Sequence, residues 1–163
     1  MRLKSRERAR AIQLAARSAL AAAIAVGIVQ WLGMAHPIYA MIAAVIVTDL
    51  DAAQSRKFAL NRLVGTVIGA GIGALAAPWL APGPLAVLVA IGAIMLLCHA
   101  LKLDGAAKIS GYICGIVVLE HSGQAWLYAA ERLAETLVGV GVALGLSLVP
   151  KLIHVDGDRA GPA

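Results

Sequence analysis

Residues 54–71 read QSRKFALNRLVGTVIGAG, and residues 124–141 read QAWLYAAERLAETLVGVG. At an offset of 70, Gln54, Ala59, Arg62, Leu63, Thr66, Gly69 and Gly71 recur as Gln124, Ala129, Arg132, Leu133, Thr136, Gly139 and Gly141. Each copy sets an Arg-Leu at a predicted helix start, then a Thr, then small residues running into an apolar helix. Both copies lie among apolar stretches long enough to cross a bilayer. A duplicated membrane unit builds a pathway at the interface of its repeats. The pattern points to transport.

Composition bounds the class. Of 163 residues, 61% are hydrophobic and only 14% charged, and the charges cluster between apolar runs. A soluble domain would expose too much of this to water. Predicted spans are 15–34, 37–51, 63–81, 84–102, 106–120 and 132–150. A crossing helix takes about 20 residues. The second and fifth spans are short and end in charge, at Asp49 and Asp51 and at Glu120, so they either tilt or stop within the hydrocarbon. His36-Pro37 and Pro82-Gly83-Pro84 break the chain between spans. The start, MRLKSRERAR, reads like a signal n-region. The long apolar run behind it, with no cleavage site, reads as a retained first span.

With the N-terminus in the cytoplasm and six crossings, thirteen of the fourteen Lys and Arg fall inside. Arg132 alone falls outside. Both termini, short tails, are cytoplasmic. The predicted fold class is an all-α membrane protein of six transmembrane helices in one domain, in two three-helix repeats of about 12–81 and 84–151. Three spans per repeat is odd, so the copies are inverted.

The net charge of +5 sits at span ends and sets orientation, so it does not point to nucleic acid. No phosphate-cradling glycine loop and no nucleophile-base-acid set is recognisable, and an enzyme is not expected. No cofactor is expected. Cys98 and Cys114 fall inside spans as packing residues. No second Cys or His stands at ligand spacing near His99, so no metal is assigned.

Arg62 and Arg132 carry the candidate chemistry. An organic anion in low dielectric needs a cationic partner, and a guanidinium fork matches a carboxylate. Each is predicted near a helix N-terminus, where the dipole adds attraction. Arg62 also reads as an interfacial anchor, and Arg132 as an ion-pair partner of Glu135 or Glu131. Thr66 and Thr136 accompany the arginines as substrate-binding candidates. Lys108 lines the cytoplasmic vestibule or snorkels. Glu135, an acid within a span, is a candidate for proton coupling or for an ion pair with Arg132. Asp49 is the second proton-coupling candidate, but Asp49 and Asp51 read first as partners of Arg56, Lys57 and Arg62. Glu120-His121 reads as a solvated loop pair or a titrating one, and Trp126 and Tyr128 as an interfacial aromatic belt. Gly65, Gly69 and Gly73, then Gly111 and Gly115, then Gly141 and Gly145, recur at four-residue spacing. That puts small residues on one face for close helix packing or for a dimer seam.

Arg62-Leu-Val-Gly65-Thr66-x-x-Gly69, after a short polar loop, resembles the fusaric acid resistance, or aromatic acid exporter, family. Ile38 to Leu80 carries most of the likeness. Glu131-Arg132-Leu-x-Glu135-Thr136-x-x-Gly139 resembles the family's matching last helix. Plant aluminium-activated malate channels are similar at a greater distance. The resemblance implies export of small carboxylates, aromatic acids among them, across the bacterial cytoplasmic membrane, driven by protons. A passive anion channel and a non-transporting subunit of a larger complex are the alternatives. Typical members carry a large cytoplasmic domain and often a second membrane half, so the six-helix unit implies a homodimer.

Overall fold

The computed structural model describes residues 2–120 and 123–149. Six helices follow one another: α1 (Arg2–Trp31), α2 (Pro37–Val47), α3 (Ala52–Ala76), α4 (Pro84–Ala100), α5 (Asp104–Glu120) and α6 (Ala125–Ser147). A short 3-10 turn, Ala77–Trp79, extends α3, and no strand occurs among the described residues.

Local sequence explains the boundaries. Pro37 and Pro84 open α2 and α4 at a position where no amide is needed. α3 starts at Ala52, well before the expected 63, because the Asp51 carboxylate accepts the Ala53 amide at 2.9 Å and caps the polar run ahead of Arg62. α6 likewise starts at Ala125 instead of 132. Two expectations are corrected by these starts. Arg62 and Arg132 lie two to three turns inside their helices, beyond the reach of a terminal dipole, which fades within the first turn. Trp126 and Tyr128 are helical residues, with Tyr128 buried in the bundle and Trp126 exposed.

Glu7–Trp31 and Ala52–Trp79 are each long and apolar enough to cross a bilayer. α2, with 11 residues, reaches only about 16 Å at 1.5 Å per residue, well short of a hydrocarbon core. The structure thus supports six helices, with two of them full-length span candidates.

Side-chain size is sorted in the sense lipid favours. The buried positions are largely alanine: Ala21 and Ala25 on α1, Ala40 and Ala44 on α2, Ala70 and Ala74 on α3. Leu60, Val67, Leu75, Leu88, Leu96 and Leu137 face outward. Lipid tails solvate leucine as well as a protein core does, so nothing drives it inside. Small residues inside let backbones approach. Trp31 and Trp79 stand 84% and 86% exposed near helix ends, where indoles sit in a membrane.

α3 and α6 pack on each other at the centre, with α5 against α3 and α2 against α6. Glycines set these contacts. A Cβ at Gly65, Gly69 or Gly73 would run into α5, at Ile109, at the Ser110 backbone and at Val117 respectively. Gly139 on α6 meets the Ala40 carbonyl and Ala43 on α2 in the same way. The partners of Gly69, Ser110 and Ile113, stand seventy residues after those of Gly139, Ala40 and Ala43. Gly111 and Gly115 meet Met95 and Ile91 of α4. Gly141 and Gly145, expected to pack, have nothing within 4 Å; they lie one helical face away from Gly139.

Candidate functional site

The two arginines of the repeat are among the largest fully buried side chains, Arg62 being 1% exposed and Arg132 2%. Residues 61–70 and 131–140 follow the same order of buried and exposed positions. Equivalent helix faces therefore turn both guanidinium groups inward.

Each is received by tyrosine, and all three tyrosines of the chain take part. The Arg62 guanidinium carbon lies 5.5 Å from the centre of the Tyr112 ring, on α5. That of Arg132 lies 3.4 Å from the Tyr39 ring of α2 and 4.6 Å from the Tyr128 ring, one turn back on α6. An aromatic face attracts a cation most where water is excluded. The Tyr128 hydroxyl donates to that of Tyr39 at 3.0 Å, linking α6 to α2.

The two sites differ in counter-charge. Arg132 Nη2 stands 2.5 Å from Glu135 Oε2, three residues on. The pair is a charge contact without hydrogen-bond alignment. The other Glu135 oxygen accepts the His36 amide, the N-cap of α2, at 2.9 Å. The His36 ring lies 3.8 Å from Glu131 and 4.0 Å from Glu135. Glu135 is fully buried and held from two sides.

Arg62 has no ion pair among the described residues, and its Nε and Nη1 find no hydrogen-bond partner there. Position 65 corresponds to Glu135 but is glycine, and α5 is the reason. A Cβ at Gly65 would stand 2.6 Å from Ile109 Cβ. No carboxylate can be built in beside Arg62 while α5 lies so close.

The remaining candidates are placed as follows. The Thr66 hydroxyl donates to the Arg62 carbonyl at 2.7 Å, and Thr136 is equally buried. Lys108 is exposed on α5. Asp49 and Asp51 are not paired with Arg56, Lys57 or Arg62 among the described residues. They form the turn into α3, where Asp49 Oδ1 accepts the Asp51 amide and Asp51 Oδ1 the Ala53 amide. Such short side chains bond nearby backbone more readily than they reach a distant cation. His99 meets Asp104 at 2.7 Å on the surface. Glu120 ends α5, and His121, Lys151 and Arg159 lie outside the described residues. No group of three or more His, Cys, Asp or Glu suited to a metal occurs among the described residues.

Sequence reading missed Tyr39 and Tyr112 and the contact of Tyr128 with Arg132. A usable signal existed: three tyrosines in a chain of 163 residues, with Tyr112 at the middle of an apolar span. A mid-span phenol needs a polar partner.

No curated protein and no solved structure matches the chain. The fusaric acid resistance protein-like family matches residues 23–146, from the last third of α1 to the last turn of α6, so Arg62, Arg132 and all three tyrosines lie within the match. With three quarters of its length matched, and apolar helices packed through small residues, this chain belongs to the fusaric acid resistance protein-like family, whose role is membrane transport and not catalysis.

Proposed function

We propose that the protein is a bacterial inner-membrane exporter of small organic anions, with aromatic carboxylates as its substrates and protons as its coupling ion. The observation that carries this reading is Arg62, a guanidinium buried in an apolar bundle with no acid beside it among the described residues. An uncompensated cation there is costly and is kept where it serves a pathway.

The six helices are read as two inverted three-helix halves with both termini cytoplasmic. Support comes from the offset-70 repeat, the matched burial order and the matched glycine contacts of α3 on α5 and α6 on α2. In this arrangement Arg62 stands toward the cytoplasmic mouth and Arg132 toward the external one. Glu135 holds Arg132 in the resting state. A proton arriving from outside neutralises Glu135, and Arg132 is then free to accept the carboxylate that Arg62 releases. The open face at Gly141 and Gly145 is where a second copy would pack to form a homodimer.

The test is efflux of labelled benzoate from proteoliposomes holding only this chain, with and without a pH gradient. Gradient-dependent efflux supports the exporter. Efflux indifferent to the gradient makes the protein a passive anion path. No efflux of any organic anion overturns the transport reading.

A further inference from the structure

We propose that Arg62 and Tyr112 together form the resting binding site, that Tyr112 supplies its second donor, and that it holds one monocarboxylate per chain. This deepens the transport reading and rests on it.

The two arginines of the repeat are not equivalent binders. Arg132 already has a carboxylate at 2.5 Å, that of Glu135, and the pair is neutral as a unit. An incoming anion gains little from a cation so compensated, and has to compete with a tethered acid at high effective concentration. Both arginines keep nitrogens without aligned hydrogen bonds, but Arg62 differs in charge, with no acid beside it among the described residues. Its Nε and Nη1 are buried without partners among the described residues, and so is the hydroxyl of Tyr112. Leaving buried donors unbonded is costly, and at Arg62 the charge is uncompensated as well. Their chemistry specifies the occupant. The guanidinium offers N–H donors at Nε and Nη1, and the Tyr112 ring, 5.5 Å from the guanidinium carbon, carries an O–H donor. All three atoms can donate, and a carboxylate accepts through both of its oxygens.

Charge fixes the class further. Arg62 is a single cation. Among the described residues the other buried arginines contact other groups, Arg132 the Glu135 carboxylate and Arg17 the Val149 carbonyl just beyond α6. Lys108 is exposed. A monocarboxylate leaves the site neutral. A dicarboxylate leaves one negative charge in a low-dielectric bundle, which is strongly unfavourable. Glycine at 65 belongs to the same device. It draws α5 and Tyr112 up to α3 and keeps a competing carboxylate away.

The experiment is equilibrium dialysis of radiolabelled benzoate against the purified full chain in detergent micelles, with phthalate as competitor. Efflux from proteoliposomes is measured alongside. Saturable binding of one benzoate per chain is expected. Tyr112→Phe keeps the ring and removes only the hydroxyl, and it should weaken binding roughly tenfold or more, as loss of a hydrogen bond to a charged group does. Arg62→Gln should abolish saturable binding. The double variant Arg132→Gln with Glu135→Gln should shift the affinity less than Tyr112→Phe does. Phthalate should compete at least about tenfold more weakly than unlabelled benzoate, as an uncompensated buried charge requires. Tyr112→Phe binding as tightly as the wild type overturns the proposal, and so does phthalate competing equally or a stoichiometry of two. If benzoate efflux persists beside those results, the transport reading stands and only this assignment falls. Wild-type protein that binds no benzoate and moves neither benzoate nor any other organic anion overturns both.

Discussion

Gly69→Ala puts a methyl carbon 2.5 Å from the Ser110 carbonyl oxygen and 2.8 Å from Ser110 Cα. Both are backbone atoms, so no side chain can swing away. Restoring ordinary contact at 3.4 Å requires α3 and α5 to part by about 0.9 Å. Overpacking of this kind costs about 1–3 kcal/mol. Alanine returns roughly 1 kcal/mol through its better helix propensity. Gly71 is the internal control, because it lies on the same helix, two residues on, with nothing within 4 Å. Gly71→Ala collects the propensity gain alone. The stability difference between the two variants should therefore be about 1–3 kcal/mol, with Gly69→Ala the weaker. Reversible unfolding by SDS in mixed micelles, followed by far-UV circular dichroism, measures it. Equal stabilities would refute the close approach of α3 to α5. They would also remove the stated reason why no carboxylate stands beside Arg62.

Gly139→Ala against Gly141→Ala should repeat that result at the α6–α2 contact, since Gly139 meets the Ala40 carbonyl and Gly141 meets nothing. Glu135→Gln leaves Arg132 charged and uncompensated, and should cost about 3–5 kcal/mol in the same unfolding assay, whereas Arg132→Met with Glu135→Met should cost far less than the sum of the single changes. Arg62→Met should leave stability unchanged or raise it by roughly 1 kcal/mol or more while abolishing anion efflux, the exchange expected where a buried charge serves function. Asp51→Ala removes the cap of α3 and should cost about 1 kcal/mol; amide exchange at Ala53 would report it first.

Much of the site was legible because it is local. Arg132 and Glu135 are three residues apart on one helix, so their pairing follows from helical spacing alone. The seventy-residue repeat likewise singled out both arginines before any contact was known. Helix starts were less legible. The polar residues before Arg62 and Arg132 read as loops, because charge was weighed against bilayer entry and the cap at Asp51 was not weighed at all. The same error turned Asp49 and Asp51 into partners for cations when they bond their own turn.

By itself the sequence determined that the chain is helical and membrane-bound, that a segment recurs, and which residues carry charge into apolar surroundings. These follow from composition and from spacings within a few turns. Only the tertiary structure decided that Tyr39 serves Arg132 and Tyr112 serves Arg62, pairings across 93 and 50 positions. It also decided that Gly139, not Gly141 or Gly145, is the close-contact glycine of α6. The physical reason is the helix surface. A helix apolar on every side has no hydrophobic stripe to set its rotation. Which face meets a neighbour is then settled by the fit of small residues against backbone, and that fit exists only once the helices are packed.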